Sequence, residues 1–126
     1  MRRVFKTKSF TRWARKAGLG DRALCGAVVE MASGKIDADL GGRILKKRIS
    51  LPGMGKSGST RTLVATNKGS RWYFVFGFEK NERDNIEPDE LAALKRLATD
   101  LLKLTDNQLE TAIEAGAFTE ICHGHH

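Results

Sequence analysis

The stretch Arg71 to Phe78, RWYFVFGF, constrains the fold more than any other. Its β-branched and aromatic residues read as a strand. Strict alternation puts Trp72, Phe74, Phe76 and Phe78 on one face and Tyr73 and Val75 on the other. A strand apolar on both faces belongs in the middle of a sheet covered on both sides. The same aromatic run offers two uses, core packing or a platform for stacking bases.

The neighbouring segments supply the rest of such a fold. RRVFKT opens the chain as a short strand. Phe10, Trp13, Ala14 and Ala17 recur at helical spacing, with Arg12, Arg15 and Lys16 outside the apolar face and Gly18 as a stop. Asp21 starts a second helix through Leu24, Cys25, Val28 and Met31 to Gly34, and KIDADLGG reads as a loop. Arg43–Ser50 and Thr60–Asn67 are strand-like, and Asn67-Lys68-Gly69-Ser70 has the turn chemistry that joins the latter to Arg71–Phe78 as a hairpin. Pro88, Asp89 and Glu90 begin a helix with a Leu91/Leu94/Leu97/Ala98/Leu101 stripe. Thr105 and Gln108 form a capping-box pattern for a last helix closed by Gly116. The expected class is α+β: a small, mostly antiparallel sheet with two N-terminal helices and C-terminal helices. With 126 residues, the expectation is a single domain over 1–126, with 121–126 as a flexible tail.

Charge is the second constraint. The net charge is +7, and it is unevenly spread. Residues 1–78 hold 17 Lys/Arg against 4 Asp/Glu, residues 79–126 hold 5 against 11, and no acidic residue falls between Leu40 and Phe78. A single-signed stretch of that length attracts polyanions, nucleic-acid phosphates above all. No apolar run reaches the ~20 residues of a membrane span, and no apolar segment follows the basic N-terminus, so a cytoplasmic protein with no membrane role is expected. Cys25 reads as a small core residue. Cys122, with His123, His125 and His126, is a Cys/His group on a frayed end, where a preorganised metal site is not expected.

GMGKS, Gly53 to Ser57, invites comparison with a phosphate-binding loop. The pattern G-x-x-x-x-G-K-[ST] needs a glycine where Ser50 stands, and a helix where the β-branched STRTLVAT follows. The glycines therefore read as a connection between antiparallel strands, with Lys56 as a loop cation able to meet a nucleic-acid backbone. In RILKKRIS, alternation puts Lys46 and Arg48 on one face and Lys47 on the other. Antiparallel pairing brings Arg61 beside the first two, and EKNERDN sets Lys80 and Arg83 at the same sheet end. The cluster contains no histidine and no carboxylate pair, so triad and two-carboxylate schemes lack their parts, and no metal or cofactor is expected.

Taken together, RRVFKTKSFTRWARK, DADLGGRILKKRI, GMGKSGSTRTLVA, YFVFGFEKNERDNI and DELAALKRLA resemble the RelE/HigB group of bacterial toxins from type II toxin–antitoxin modules, over nearly the whole chain. The resemblance implies a metal-independent endoribonuclease that cuts mRNA on the ribosome and is neutralised by a cognate antitoxin, expected to be a helix-turn-helix protein. It implies that basic side chains activate the ribose 2′-OH and stabilise the charged transition state, with any lysine base lowered by its cationic neighbours. By position, Lys46, Arg48, Arg61 and Arg83 are then the catalytic candidates, and Lys47, Lys56, Lys80 and Asn81 the RNA-binding ones. Asn81 stands where an arginine is expected, and Ile86 and Glu87 stand where well-studied members carry a tyrosine or histidine. That departure keeps two alternatives open: a gyrase-directed toxin of the ParE type, or a nucleic-acid-binding module without catalysis.

Overall fold

A computed structural model describes residues 2–51 and 59–123. The elements are β1 (Arg3–Thr7), α1 (Lys8–Ala17), α2 (Asp21–Ala32), β2 (Ala38–Asp39), β3 (Ile44–Ser50), β4 (Ser59–Thr66), β5 (Arg71–Glu79), α3 (Pro88–Leu102), α4 (Asp106–Glu114) and β6 (Phe118–Ile121). The six strands form one sheet in the order β2-β3-β4-β5-β1-β6. Every pairing is antiparallel except β1 with β5. The class is α+β, as the sequence predicts.

Local chemistry sets the helix limits. The Thr7 hydroxyl accepts from the Phe10 amide at the start of α1, and Gly18 ends it in the left-handed region. Capping boxes open α3 at Glu87 with Glu90, and α4 at Thr105 with Gln108.

The sheet separates two cores. Against α1 and α2 lie Val4, Leu45, Ile49, Val64, Trp72 and Phe74. Under α3 and α4 lie Phe5, Ile44, Leu63, Ala65, Tyr73 and Val75. β5 is thus central and covered on both faces, as its apolar character requires. Its alternation differs from the strict period of two. A bulge between Leu63 and Val64 of β4 changes the register, so that Leu63 pairs with Phe76 but Val64 with Phe74. Val75 is the extra residue, and beyond it the strand's parity inverts. Phe76 and Phe78 therefore leave the Trp72/Phe74 face and join the α3 side, while Gly77 turns toward α1.

Two short strands complete the sheet where the sequence reads as loop or tail. β2 pairs two residues with β3 within KIDADLGG. β6 pairs with β1, Ile121 against Val4 and Phe118 against Thr7. Of the expected tail at 121–126, the described residues begin as ordered chain: Ile121 is buried, and Cys122 is bonded to Cys25 across 97 residues, with Cα atoms 5.5 Å apart, while 124–126 lie outside the described residues. Cys25 is buried as expected, but as half of a disulfide rather than a thiol. Cys122 is equally unavailable as a metal ligand. His125 and His126 lie outside the described residues.

Candidate nucleic-acid interface

β3 and β4 pair so that Arg48 stands opposite Arg61, Lys46 opposite Leu63 and Ile44 opposite Ala65. Directly paired residues share a face. Ile44, Leu63 and Ala65 are buried under α3 and α4, so Lys46, Arg48 and Arg61 project from that same side. Arg48 is exposed, and Lys46 and Arg61 are half-buried. The Arg61 guanidinium is steadied by Nη1 donating to Ser59 Oγ at 2.9 Å. Among the described residues, no carboxylate comes within 4.0 Å of the basic nitrogens of these three side chains. Three cations on one wall without a neutralising partner form an anion-binding surface.

Aromatic rings border this strip because of the bulge. Phe78 stands opposite Arg61 on β5, with Phe76 6.3 Å from it between ring centroids. The turn after β5 folds back, Glu82 N donating to Glu79 O at 3.0 Å, and brings Arg83 over both rings, 5.3 Å from the Phe76 centroid and 5.8 Å from that of Phe78. Arg83 also forms a fork to Glu90 on α3, at 2.6 and 3.2 Å. Hydrogen bonding to Glu90 pushes the Arg83 pKa up, and that to Arg83 holds the Glu90 carboxyl below its ordinary value. Arg83 is therefore at the strip but carries a counter-charge. Lys80 and Asn81 occupy the exposed turn just before it.

Lys47 needs correcting as an RNA contact. It points to the opposite face, is buried beneath α2, and gives its ammonium to Glu30 at 2.8 Å and to the Lys35 carbonyl at 3.0 Å. Its hydrogen bond lowers the Glu30 pKa. A cation so engaged closes the α2–β3 seam. Lys56 and the GMGKS segment lie outside the described residues. Tyr73, the single tyrosine, is buried with its hydroxyl donating to the Leu101 carbonyl at 3.2 Å, and burial raises its pKa. It cannot serve the strip. Sequence reading missed Phe78 as a neighbour of Arg61, and Glu90 as the partner of Arg83. The register shift that creates the first contact has no local sequence signal, whereas Glu90 lies in the helix-opening PDE and could have been considered.

Residues 2–121 match the family model of the RelE toxin of the RelE / RelB toxin–antitoxin system. No curated protein and no solved structure matches the chain.

Proposed function

Because this chain belongs to the RelE toxin family, and is thus the toxin of a toxin–antitoxin pair with a cognate antitoxin as partner, we propose that it is a ribosome-dependent mRNA endoribonuclease that arrests translation. The observation that carries this reading is the strip itself: Arg48 opposite Arg61, Lys46 on the same side, and no carboxylate within 4.0 Å of their side-chain nitrogens among the described residues, the nearby Asp37 accepting from the Arg48 backbone amide at 2.6 Å.

The chemistry follows from what cations can do. A ribose 2′-OH loses its proton and attacks the adjacent phosphorus. The P–O5′ bond breaks, leaving a 2′,3′-cyclic phosphate and a 5′-hydroxyl once the leaving oxygen is protonated. Negative charge grows on the non-bridging oxygens during attack, and Arg48 and Arg61 supply fixed donors to meet it. Lys46 is the one side chain of the three able to exchange a proton as an amine, which suits it to the proton-transfer steps. Phe76 and Phe78, roofed by Arg83, form the adjoining apolar wall. The exposed Lys80 and Asn81 extend the polar surface for the neighbouring nucleotides, and Lys56 is a further candidate backbone contact. The antitoxin we propose is a helix-turn-helix protein with an acidic segment to cover the strip.

Purified protein added to ribosomes carrying a defined mRNA should give discrete cuts by primer extension, and Arg61→Ala should lose them by at least ~100-fold while remaining folded. Intact mRNA with wild-type protein, together with DNA damage in arrested cells, would instead support a gyrase-directed toxin. The lack of a tyrosine or histidine on the strip among the described residues favours that second reading.

A further inference from the structure

α1 presents a second basic surface, unrelated to the strip. It contains Lys8, Arg12, Arg15 and Lys16 and no acidic residue, and all four cations are exposed. At ~100° per residue, Lys8, Arg12 and Arg15 fall within about 60° of one another, opposite the buried Phe10 and Ala14. Among the described residues none of the four has an ion-pair partner, a property shared with scattered cations such as Lys35, Arg96 and Lys103 but here gathered on one helix face.

Helix stability accounts for only part of this stripe, because Arg15 and Lys16 lie in the last turn, where the dipole favours cations. Lys8 sits in the first turn, at the positive end of the dipole, and like charges at i, i+4 oppose a helix. The apolar side of α1 is occupied, with Phe10 against Phe74 at 5.3 Å between ring centroids, so the helix has no hydrophobic face left for a bilayer or an apolar groove. Between the cations lie Ser9 and Thr11, polar like the stripe itself. Protein interfaces have apolar centres depleted in charge, whereas phosphate backbones are met by cations and hydroxyls. The cations Lys8, Arg12 and Lys16 recur about every 6 Å along the axis. The helix packs on the sheet face opposite Arg48 and Arg61, and only its Ser9 and Trp13 edge reaches the groove beside Phe76, Phe78 and Arg83.

We propose that α1 is an independent RNA contact that takes the phosphate backbone of double-helical RNA. The inference rests on the ribosome reading, because ribosomal RNA is the source of such helices. It predicts that the toxin is held by structured RNA on one face while the message lies on the other.

The test is anisotropy with a labelled RNA duplex of about 16 base pairs, a probe that needs neither a ribosome nor cleavage. Lys8→Gln/Arg12→Gln/Arg15→Gln should bind at least ~10-fold more weakly than wild type at moderate salt, with a salt slope shallower by about 2–3. The charge-matched control Lys35→Gln/Arg96→Gln/Lys103→Gln should stay within about twofold. Equal losses in the two triple variants would reduce α1 to net charge and overturn the proposal. So would unchanged duplex binding by the α1 variant, or a loss confined to antitoxin affinity. Duplex binding through α1 by a protein that leaves ribosome-bound mRNA uncut would sustain this inference and refute the nuclease reading.

Discussion

Arg61 and Arg83 show how two arginines on one wall take different parts. Among the described residues Arg61 has only the Ser59 hydroxyl as a side-chain partner, so its charge has no counter-ion there. Arg83 shares its charge with Glu90 and covers two phenylalanines. Arg61→Lys should therefore cost much of the ~100-fold expected of Arg61→Ala, because an ammonium lacks the planar fork that meets two phosphate oxygens. Single-turnover cleavage by both variants checks this. Glu90→Gln should have the reverse sign: it releases Arg83, strengthening binding of a short single-stranded RNA about twofold or more. Lowering the pH should have the same effect on the wild type. The Glu90 carboxylate is held below its ordinary value by Arg83, so the pair persists above that range and opens only as pH falls through the lowered pKa. Binding titrations from pH 6 to pH 3 should show wild type approaching Glu90→Gln.

At the scale of elements, β5 decides where the site lies. Without the bulge, Phe76 and Phe78 would continue toward α1, and the cations of β3 and β4 would lack their aromatic neighbours. The inverted parity instead turns Gly77 to α1, where Trp13 packs on it so closely that a Cβ would lie 2.2 Å from the ring. Gly77→Ala should destabilise the fold by about 1–3 kcal/mol, and Trp13→Ala in the same background should recover part of that loss. Chemical denaturation of the two single variants and the double variant reads the coupling. The glycine appears in the sequence only as a weak position in a strand. Long periodic elements were legible: α1, α3, α4 and the β3–β4–β5 meander lie within a residue or two of their expected limits. The wall holding Lys46, Arg48 and Arg61 was legible too, since alternation and antiparallel pairing suffice to derive it. β6 was not, because it offers no periodicity. Its Phe118 enters the core under α4 and its Ile121 the core under α2, three residues apart and on opposite faces. Non-local pairing with β1 defines such a strand, and nothing local announces it.

At the scale of the molecule, the edge strand β6 is held by long-range bonds rather than by its length. Cys122 joins it to Cys25 on α2, closing a loop of 97 residues. Loop closure alone would give such a crosslink up to about 4.7 kcal/mol, and disulfides typically contribute about 2–4 kcal/mol. Cys122→Ser, or a dithiol reductant, should lower the unfolding free energy by that amount, read from the denaturant midpoint and slope, without abolishing folding, because both cores persist. Arg3 holds the same strand through electrostatics, with a fork to Glu120 at 2.9 and 2.8 Å and a second contact to Glu110 at 2.9 Å. The hydrogen bond to Arg3 holds the Glu120 carboxyl below its ordinary value. A carboxylate with a depressed native pKa adds stability above its unfolded pKa of ~4.3 and loses it as pH falls through the native one. Glu120→Gln should therefore cost about 1–2 kcal/mol at pH 7, reduced from a buried pair's worth because both side chains keep some solvent contact. As pH falls through that lowered native pKa the gap between the variant and the wild type should narrow. Denaturation midpoints at pH 7 and pH 3 separate this from simple packing loss, for which the gap would be the same at both. A gap that stayed constant would leave the disulfide and the buried Phe118 and Ile121 as the anchors of β6.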